Sequence, residues 1–175
     1  MPNRIDLRTA RLSLRPFQSE DAAEIYAGIT PALTRYMSWE PPASAAAFAV
    51  VWRSWLTAFQ AGTDIHFVVR RQTGNEFCGI VGLHQMGETR PELGIWIKEA
   101  LQRSGLGTEA LIAIAKWASQ HEALEGFVYP VAEENKPSRR LAEALGGTVI
   151  GRREGGKYSS IIYHIPALVA DGASN

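Results

Sequence analysis

The stretch LQRSGLGTEALIAIAKWA, residues 101–118, carries the strongest fold signal in this chain. Gly105 and Gly107 stand one residue apart, directly before an apolar run that predicts a helix. The first N–H groups of a helix lack partners and lie at the positive end of its dipole, so they attract anions. Glycine lets a loop turn several N–H groups inward and approach a phosphate closely. Residues 102–108, QRSGLGT, therefore predict an anion-binding loop. Its positive charge and hydroxyl groups come from Arg103, Ser104 and Thr108.

Glycine spacing alone does not say which anion binds, because a tight turn before a helix uses the same residues. A P-loop requires lysine and a hydroxyl residue after its last glycine, whereas Thr108 and Glu109 follow Gly107. A dinucleotide fingerprint has a third glycine or an alanine where Ala110 stands, but no strand–helix–strand unit opens this chain. At this point the residues are also consistent with a simple loop that binds the phosphate of a nucleotide.

Composition restricts the classes of function. The chain has 175 residues, enough for one domain with a proper core. Its 18 basic and 18 acidic residues balance, which argues against non-specific binding to nucleic acid or to an anionic membrane. The single cysteine, Cys78, cannot form an internal disulfide, and no apolar run is long enough to span a bilayer. We expect a soluble, cytoplasmic protein.

The apolar pattern alternates between strand and helix periods and predicts an α+β fold, with helices packed on one mixed sheet. A single domain is expected to occupy residues 1–175, with a core at about 6–165 and a flexible tail at 166–175. Predicted strands occupy residues 11–16, 65–71, 76–86, 91–98, 126–130, 148–154 and 157–165. Predicted helices occupy residues 20–29, 43–61, the run after Gly107, and 136–147.

The order of these segments resembles the Gcn5-related N-acetyltransferases. Gln102-x-x-Gly105-x-Gly107 is similar to the family's Q/R-x-x-G-x-G/A signature, which receives the pyrophosphate of acetyl-coenzyme A. Residues 8–26 resemble the opening of the RimJ/RimL branch of the family. PELGIWI, residues 91–97, resembles the strand before the signature, and ENKPSRRLAEALGG, residues 134–147, resembles the N-x-x-S/A segment. The resemblance covers nearly all of residues 6–165.

The resemblance implies a mostly antiparallel sheet that splays open between its fourth and fifth strands, PELGIWIK and GFVYP. Acetyl-CoA, the implied co-substrate, would place its pantetheine arm in that gap and its pyrophosphate on the loop. A strand N–H from Ile97 or Lys98 would stabilise the thioester oxygen. The remaining implied contacts are Gln102, Arg103, Ser104, Gly105, Leu106, Gly107, Thr108 and Asn135.

Acetyl transfer to an amine also requires a base and a donor to the leaving thiolate. The resemblance assigns the base to Glu92 and the donor to Ser138, while exposed strand ends and helix starts use the same residue types without catalysis. Many relatives have a tyrosine acid where this chain has Ala142, and a phenylalanine where it has Gly147. The histidines and Cys78 lack metal-ligand spacing, so no metal is expected.

We therefore predict an acetyl-CoA-dependent N-acetyltransferase that acts on a primary amine. The amine can belong to a protein N-terminus, an amino acid, a polyamine or an aminoglycoside, and RYMSWE, residues 35–40, is a candidate wall of its site. The rival interpretations are a non-catalytic acyl-CoA-binding module and an unrelated nucleotide-phosphate protein. A homodimer, frequent in the family, is left open by the residues.

Overall fold

The computed structural model describes residues 5–168, which form an eight-stranded sheet with helices on both faces. The strands are β1 Leu7–Arg8, β2 Leu12–Pro16, β3 Ile65–Arg71, β4 Phe77–His84, β5 Glu92–Ile97, β6 Gly126–Ala132, β7 Thr148–Arg153 and β8 Ser160–Pro166. The helices are α1 Ala22–Gly28, α2 Pro31–Thr34, α3 Ala45–Ala61, α4 Leu106–His121 and α5 Lys136–Ala144.

One parallel pair interrupts an otherwise antiparallel sheet. The strand order is β1-β2-β3-β4-β5-β6-β8-β7, and only β5 and β6 run parallel. Their register holds at a single position, Glu92 opposite Val128, where the Val128 N–H donates to the Pro91 carbonyl oxygen at 3.0 Å. Beyond this point the two strands are no longer in register. The predicted α+β fold and its splay are confirmed. The splayed strands β5 and β6 are the fourth and fifth strands predicted from the sequence; the numbers differ by one because the short strand β1 was not predicted.

The two faces of the sheet bury separate cores, because successive strand residues point to opposite faces. In β6, Phe127 and Tyr129 pack with α4 and α5 residues such as Leu111. On the other face, Trp96 of β5 packs with Phe48 of α3. The gap between β5 and β6 therefore lies between a face that carries α4 and α5 and a face that carries α1 and α3.

The helix bounds follow local capping. The helix predicted at 43–61 begins at Ala45, because the Ser44 side chain caps it by accepting from the Ala47 N–H at 3.0 Å. At the C-terminal end, β8 runs to Pro166, one residue beyond the predicted core, and the Leu168 N–H donates to Ser119 at 3.1 Å. The rest of the predicted tail, residues 169–175, lies outside the described residues.

Candidate active site

The β5 edge of the gap presents unused backbone groups. The Lys98 N–H donates to the Cys78 carbonyl oxygen at 2.8 Å, which makes these two residues a hydrogen-bonded pair of the β4–β5 ladder. Such pairs alternate with pairs whose backbone groups point away from the partner strand. The N–H groups of Ile95 and Ile97 therefore face the gap. Of the two predicted backbone donors, Lys98 already donates its N–H to β4, whereas the Ile97 N–H faces the gap; both residues stay predictions.

The β6 edge contains a proline at a position that tolerates it. The Glu133 N–H donates to the Ser159 carbonyl oxygen at 2.9 Å, so the same alternation turns the backbone groups of Val128, Pro130 and Ala132 toward the gap. Proline has no N–H, and at a gap-facing position this loss breaks no ladder bond. The sequence prediction ended the strand at Pro130, whereas β6 continues to Ala132.

The glycine loop opens the start of α4 to solvent. Gly105 precedes α4 with φ 79°, in the left-handed region that glycine tolerates, and Arg103 also has a positive φ of 62°. No side chain caps α4 within the described part of the chain. The unpaired N–H groups of the first helical turn, from Leu106 to Thr108, are therefore free to bind an anion.

An ion pair behind this loop fixes its position. The Arg11 guanidinium donates to Glu109 at 2.7 Å and to the Ser104 carbonyl oxygen at 2.9 Å. Burial would raise the pKa of Glu109, but hydrogen bonds from Thr9 and Arg11 outweigh it and keep the pKa below its usual value. The loop is thus tied to the segment before β2, a contact that the sequence did not predict.

Several predicted loop residues have structural contacts. The Gln102 side chain donates to the Ile97 carbonyl oxygen at 2.9 Å, and the Ser104 hydroxyl donates to the Leu101 carbonyl oxygen at 2.5 Å. The Leu106 side chain is buried in the core. A β-carbon added to Gly107 would lie 3.5 Å from Ile97. Gly107 therefore lies beside the gap, and Gln102 holds the loop against the end of β5.

Ser138 lies next to a tyrosine that the sequence did not single out. The Tyr129 and Ser138 hydroxyl oxygens are 2.5 Å apart. Asn135 caps α5, since its side chain accepts from the Ser138 N–H at 3.3 Å. Burial raises the pKa of Tyr129 to about 12, although the Ser138 hydrogen bond opposes the rise. Tyr129 therefore stays protonated near neutral pH, and its hydroxyl can fix the orientation of Ser138.

A cavity of about 450 Å³ opens on the face of the sheet that carries α1 and α3. Its walls are mainly apolar and include Met37, Trp39, Trp55, Ile80 and Trp96, and the Ile95 backbone borders it. Residues 37–40 of the predicted RYMSWE wall line the cavity, but Tyr36 does not. The cavity thus borders the part of β5 whose backbone faces the gap.

The polar groups of this region cluster on β4 and β5. His84 Nδ1 lies 3.2 Å from an Asp64 carboxylate oxygen, and Glu92 lies directly opposite His84 in the ladder. Directly opposed residues point to the same face. Glu92 is half-buried, and its carboxylate has no hydrogen-bond or ion-pair partner among residues 5–168. A β-carbon at Gly82 would lie 2.5 Å from His84 Nε2, so this glycine makes room for the imidazole ring.

Sequence reasoning missed His84, because it searched the histidines only for metal spacing. The signal was Gly82 two residues earlier: residues i and i+2 share a strand face, and a glycine there clears space beside the histidine. Tyr129 gave no comparable signal, since a tyrosine in an apolar strand is typical of a core.

His66 lies against the cavity as a neutral ring. It stacks on Trp55 with ring centroids 4.2 Å apart. Burial, assisted by the neighbouring His84, lowers the pKa of His66 to about 3. The unfolded chain binds a proton at this residue below about pH 6.5, whereas the folded protein does not until about pH 3. Stability linked to His66 is therefore complete above that upper value and is lost as the pH falls.

Replacing His66 by phenylalanine is expected to flatten the acid dependence of stability while retaining the ring stack. From pH 7.5 to pH 5 the wild-type free energy of unfolding should fall by about 2 kcal/mol more than that of His66→Phe. Urea unfolding at the two pH values measures this difference. His121→Phe, at the exposed end of α4, is the control and should keep the wild-type slope. Equal slopes in wild type and His66→Phe would contradict a neutral buried His66.

Comparison with known families decides the classification. The family profile described as acetyltransferase (GNAT) domain matches residues 11–148, which is most of the chain. The chain belongs to the GNAT acetyltransferase family. No curated protein matches it.

Solved structures of other proteins share the GNAT fold. RimL, a ribosomal L7/L12 alpha-N-protein acetyltransferase solved in complex with coenzyme A, aligns with a TM-score of 0.81 at 16% identity, covering 93% of this chain and 98% of that chain. A putative ribosomal-protein-serine acetyltransferase from Vibrio cholerae aligns with a TM-score of 0.81 at 22% identity, covering 95% and 99%. An acetyltransferase (GNAT family) from Bacillus anthracis aligns with a TM-score of 0.80 at 19% identity, covering 93% and 99%.

The structure shows what surrounds Ala142 and Gly147, the two positions that depart from the GNAT sequence pattern. Ala142, in place of the tyrosine, is fully buried in the core beneath α5. A β-carbon at Gly147, in place of the phenylalanine, would lie 2.6 Å from the Ala142 carbonyl oxygen. The Gly147 N–H donates to that same oxygen at 2.9 Å. The tight turn after α5 therefore requires glycine at position 147. With alanine at position 142, the hydroxyl that contacts Ser138 comes from Tyr129 of β6.

Residues 5–168 contain neither a metal-binding cluster nor a helix that could span a membrane. No group of three or more histidine, cysteine, aspartate or glutamate residues within 5–168 is arranged to hold a metal ion. No helix in this range is both long and apolar enough to cross a membrane.

Proposed function

We propose that this GNAT protein transfers the acetyl group of acetyl-CoA directly to a primary amine. The observation that carries the proposal is the gap between β5 and β6. The open start of α4 and the Ser138–Tyr129 pair belong to one side of the sheet, and Glu92 with the apolar cavity belongs to the other. Such a gap lets a thioester and an amine meet from opposite faces.

The residues present fit acetyl-CoA in chemical type. The uncapped N–H groups from Leu106 to Thr108 would hold the pyrophosphate, with Arg103 adding positive charge. The gap-facing backbone groups of Ile95 and Ile97 would bind the pantetheine arm and the thioester oxygen. Glycine at 107 keeps the approach to this edge open. The thioester supplies the activated acetyl group.

The side chains divide the proton transfers between them. Glu92 would accept the proton of the acceptor ammonium, because its carboxylate is half-buried and lacks a partner among the described residues. The free amine would then form the N–C bond as the C–S bond breaks, and Ser138 would donate a proton to the departing thiolate. The second proton, which the nitrogen loses as it becomes an amide, would return to the Ser138 oxygen through solvent. Tyr129, hydrogen-bonded to Ser138, would orient that hydroxyl.

Replacing Ser138 by alanine is expected to lower kcat about tenfold and to leave the Kd for acetyl-CoA within about twofold. Asn135 still caps α5 in this variant, because the cap uses the backbone N–H of residue 138. Steady-state kinetics and calorimetry measure the two effects. Ser54→Ala, on the exposed side of α3, is the matched control. A kcat within about twofold of wild type would remove Ser138 as the donor.

Acetyl-CoA binding and thiol release together test the proposed function. Acetyl-CoA should raise the melting temperature, since a ligand that binds the folded state stabilises it. At least one amine in a broad panel should release free CoA thiol. A melting shift without turnover across the panel would favour the acyl-CoA-binding module, and no shift with any CoA ester would overturn the proposal.

Location and assembly are part of the same proposal. Cys78 is free and buried, which suits the reducing environment of the cytosol. RimL is described as acting on the N-terminus of ribosomal protein L7/L12, so a protein N-terminus stands beside small amines as an acceptor class for this chain. A homodimer, frequent in the family, stays open.

A further inference from the structure

The cavity beside Glu92 has the size and chemistry of a small-molecule site. Its volume of about 450 Å³ lies within the range of about 300 to 1,000 Å³ usual for such sites. Aromatic and aliphatic side chains form most of the lining: Ile29, Met37, Trp39, Phe48, Val51, Trp55, Ile80 and Trp96. An apolar body gains most from burial against such walls.

His84 is the polar group of the sheet that lines the cavity among the described residues able to receive an ammonium there, and Asp64 holds its ring. Glu92 does not itself line the cavity; it lies next to it, opposite His84 on the same face of the sheet. The glycines of the paired positions Gly82 and Gly94 also line this floor, so no side chain separates the imidazole from β5. This end of the cavity can therefore bind one ammonium group of a ligand.

Elsewhere the cavity offers no partner for a second charged group. No lysine or arginine is among the described residues that line it. Glu40 lines the rim, but its carboxylate pairs with Lys157 at 2.5 Å. His66 has no charge to offer near neutral pH. A ligand carboxylate, or a second ammonium, would lose its hydration without a compensating contact.

The roof of the cavity, residues 37–42, is held from a distant hairpin. Lys157, in the turn between β7 and β8, donates to the Thr34 carbonyl oxygen at 2.8 Å and to the Trp39 carbonyl oxygen at 3.5 Å. Together with its Glu40 ion pair, these bonds tie the roof to the other side of the gap. These contacts therefore hold the roof in place over the apolar lining, so that it serves as a fixed wall for a small molecule.

We propose that the acceptor is a small primary amine with one positive charge and an apolar, ring-containing body. The amine would lie toward Glu92 and His84, and the ring between Trp39, Trp55 and Trp96. This assignment rests on the proposed acetyl transfer and narrows its acceptor.

A matched set of amines tests the assignment in the thiol-release assay. 2-Phenylethylamine should have a kcat/KM about tenfold or more above phenylalanine, which adds only a carboxylate, and above ethanolamine, which lacks the ring. It should exceed spermidine and a tripeptide amide with N-terminal phenylalanine by a similar factor. A preference for any of these four would overturn the assignment, while turnover of any amine would leave the proposed function standing.

Two neighbouring aromatic residues of one segment provide the variant and its control. Trp39→Ala should raise the KM for 2-phenylethylamine about tenfold with kcat within about twofold, because Trp39 forms the wall and does not touch the reacting atoms. Tyr36→Ala, which does not line the cavity, should match wild type. An unchanged KM in Trp39→Ala would overturn the assignment.

A binding measurement covers the case in which no amine is turned over and the proposed function fails. Calorimetry of 2-phenylethylamine with the CoA-loaded protein then tests the cavity assignment, and an absence of binding would overturn it.

Discussion

Gly105→Val should weaken acetyl-CoA binding about tenfold or more. Gly105 has a φ of 79°, which a β-branched residue adopts only with strain, and an added β-carbon would lie 3.3 Å from the Arg11 guanidinium. Relief of this strain would shift the loop away from Arg11 and misalign the N–H groups of the first α4 turn. Calorimetric titration with acetyl-CoA measures the loss of affinity.

Gly74→Val separates loop geometry from backbone strain. Gly74 lies in the turn between β3 and β4 with φ 78°, and an added β-carbon there meets nothing within 4 Å. The two variants therefore impose a similar backbone penalty of about 1 to 2 kcal/mol on stability. Only Gly105→Val should lose affinity; Gly74→Val should stay within about twofold of wild type. Unaltered affinity in Gly105→Val would contradict the proposed pyrophosphate loop.

The sequence predicted the sheet because its strands carry strong local signals. β5 and β6 are apolar runs bounded by turns or by the glycine loop, and the order of the segments around them resembles a known family. β1 has only two residues, Leu7 and Arg8, and forms by pairing with β2, so it has no period of its own to detect. Pro130 is accepted within β6 only because the sheet is open beside it, which is a property of the assembled sheet.

The site was less predictable because its parts meet through pairing and packing. The choice between Ile97 and Lys98 depended on which N–H groups bond to β4, and this follows from register. Gln102 resembled a ligand contact, but its side chain holds the Ile97 carbonyl. Tyr129 is nine positions from Ser138, and only the packing of α5 on β6 brings their hydroxyls together.

Glu92→Gln should lower kcat about 100-fold near neutral pH while the Kd for acetyl-CoA stays within about twofold. Glutamine keeps the size of the side chain and removes the proton acceptor. The glycine loop follows the opposite end of β5, so the substitution should leave the pyrophosphate contacts intact. Steady-state kinetics at saturating acetyl-CoA, with calorimetry for the Kd, measures both quantities. Glu88→Gln, in the connection between β4 and β5, is the control and should match wild type.

The pH dependence of this deficit distinguishes proton transfer from a structural role. A primary amine has a pKa of about 10, so raising the pH toward that value supplies the neutral nucleophile without a protein base. The deficit of Glu92→Gln should therefore shrink to about tenfold or less near pH 10, because the step that Glu92 performs is no longer needed. If the variant is equally impaired at every pH, Glu92 positions the acceptor. If it is unimpaired, His84 with Asp64 on the same face of the sheet becomes the candidate base.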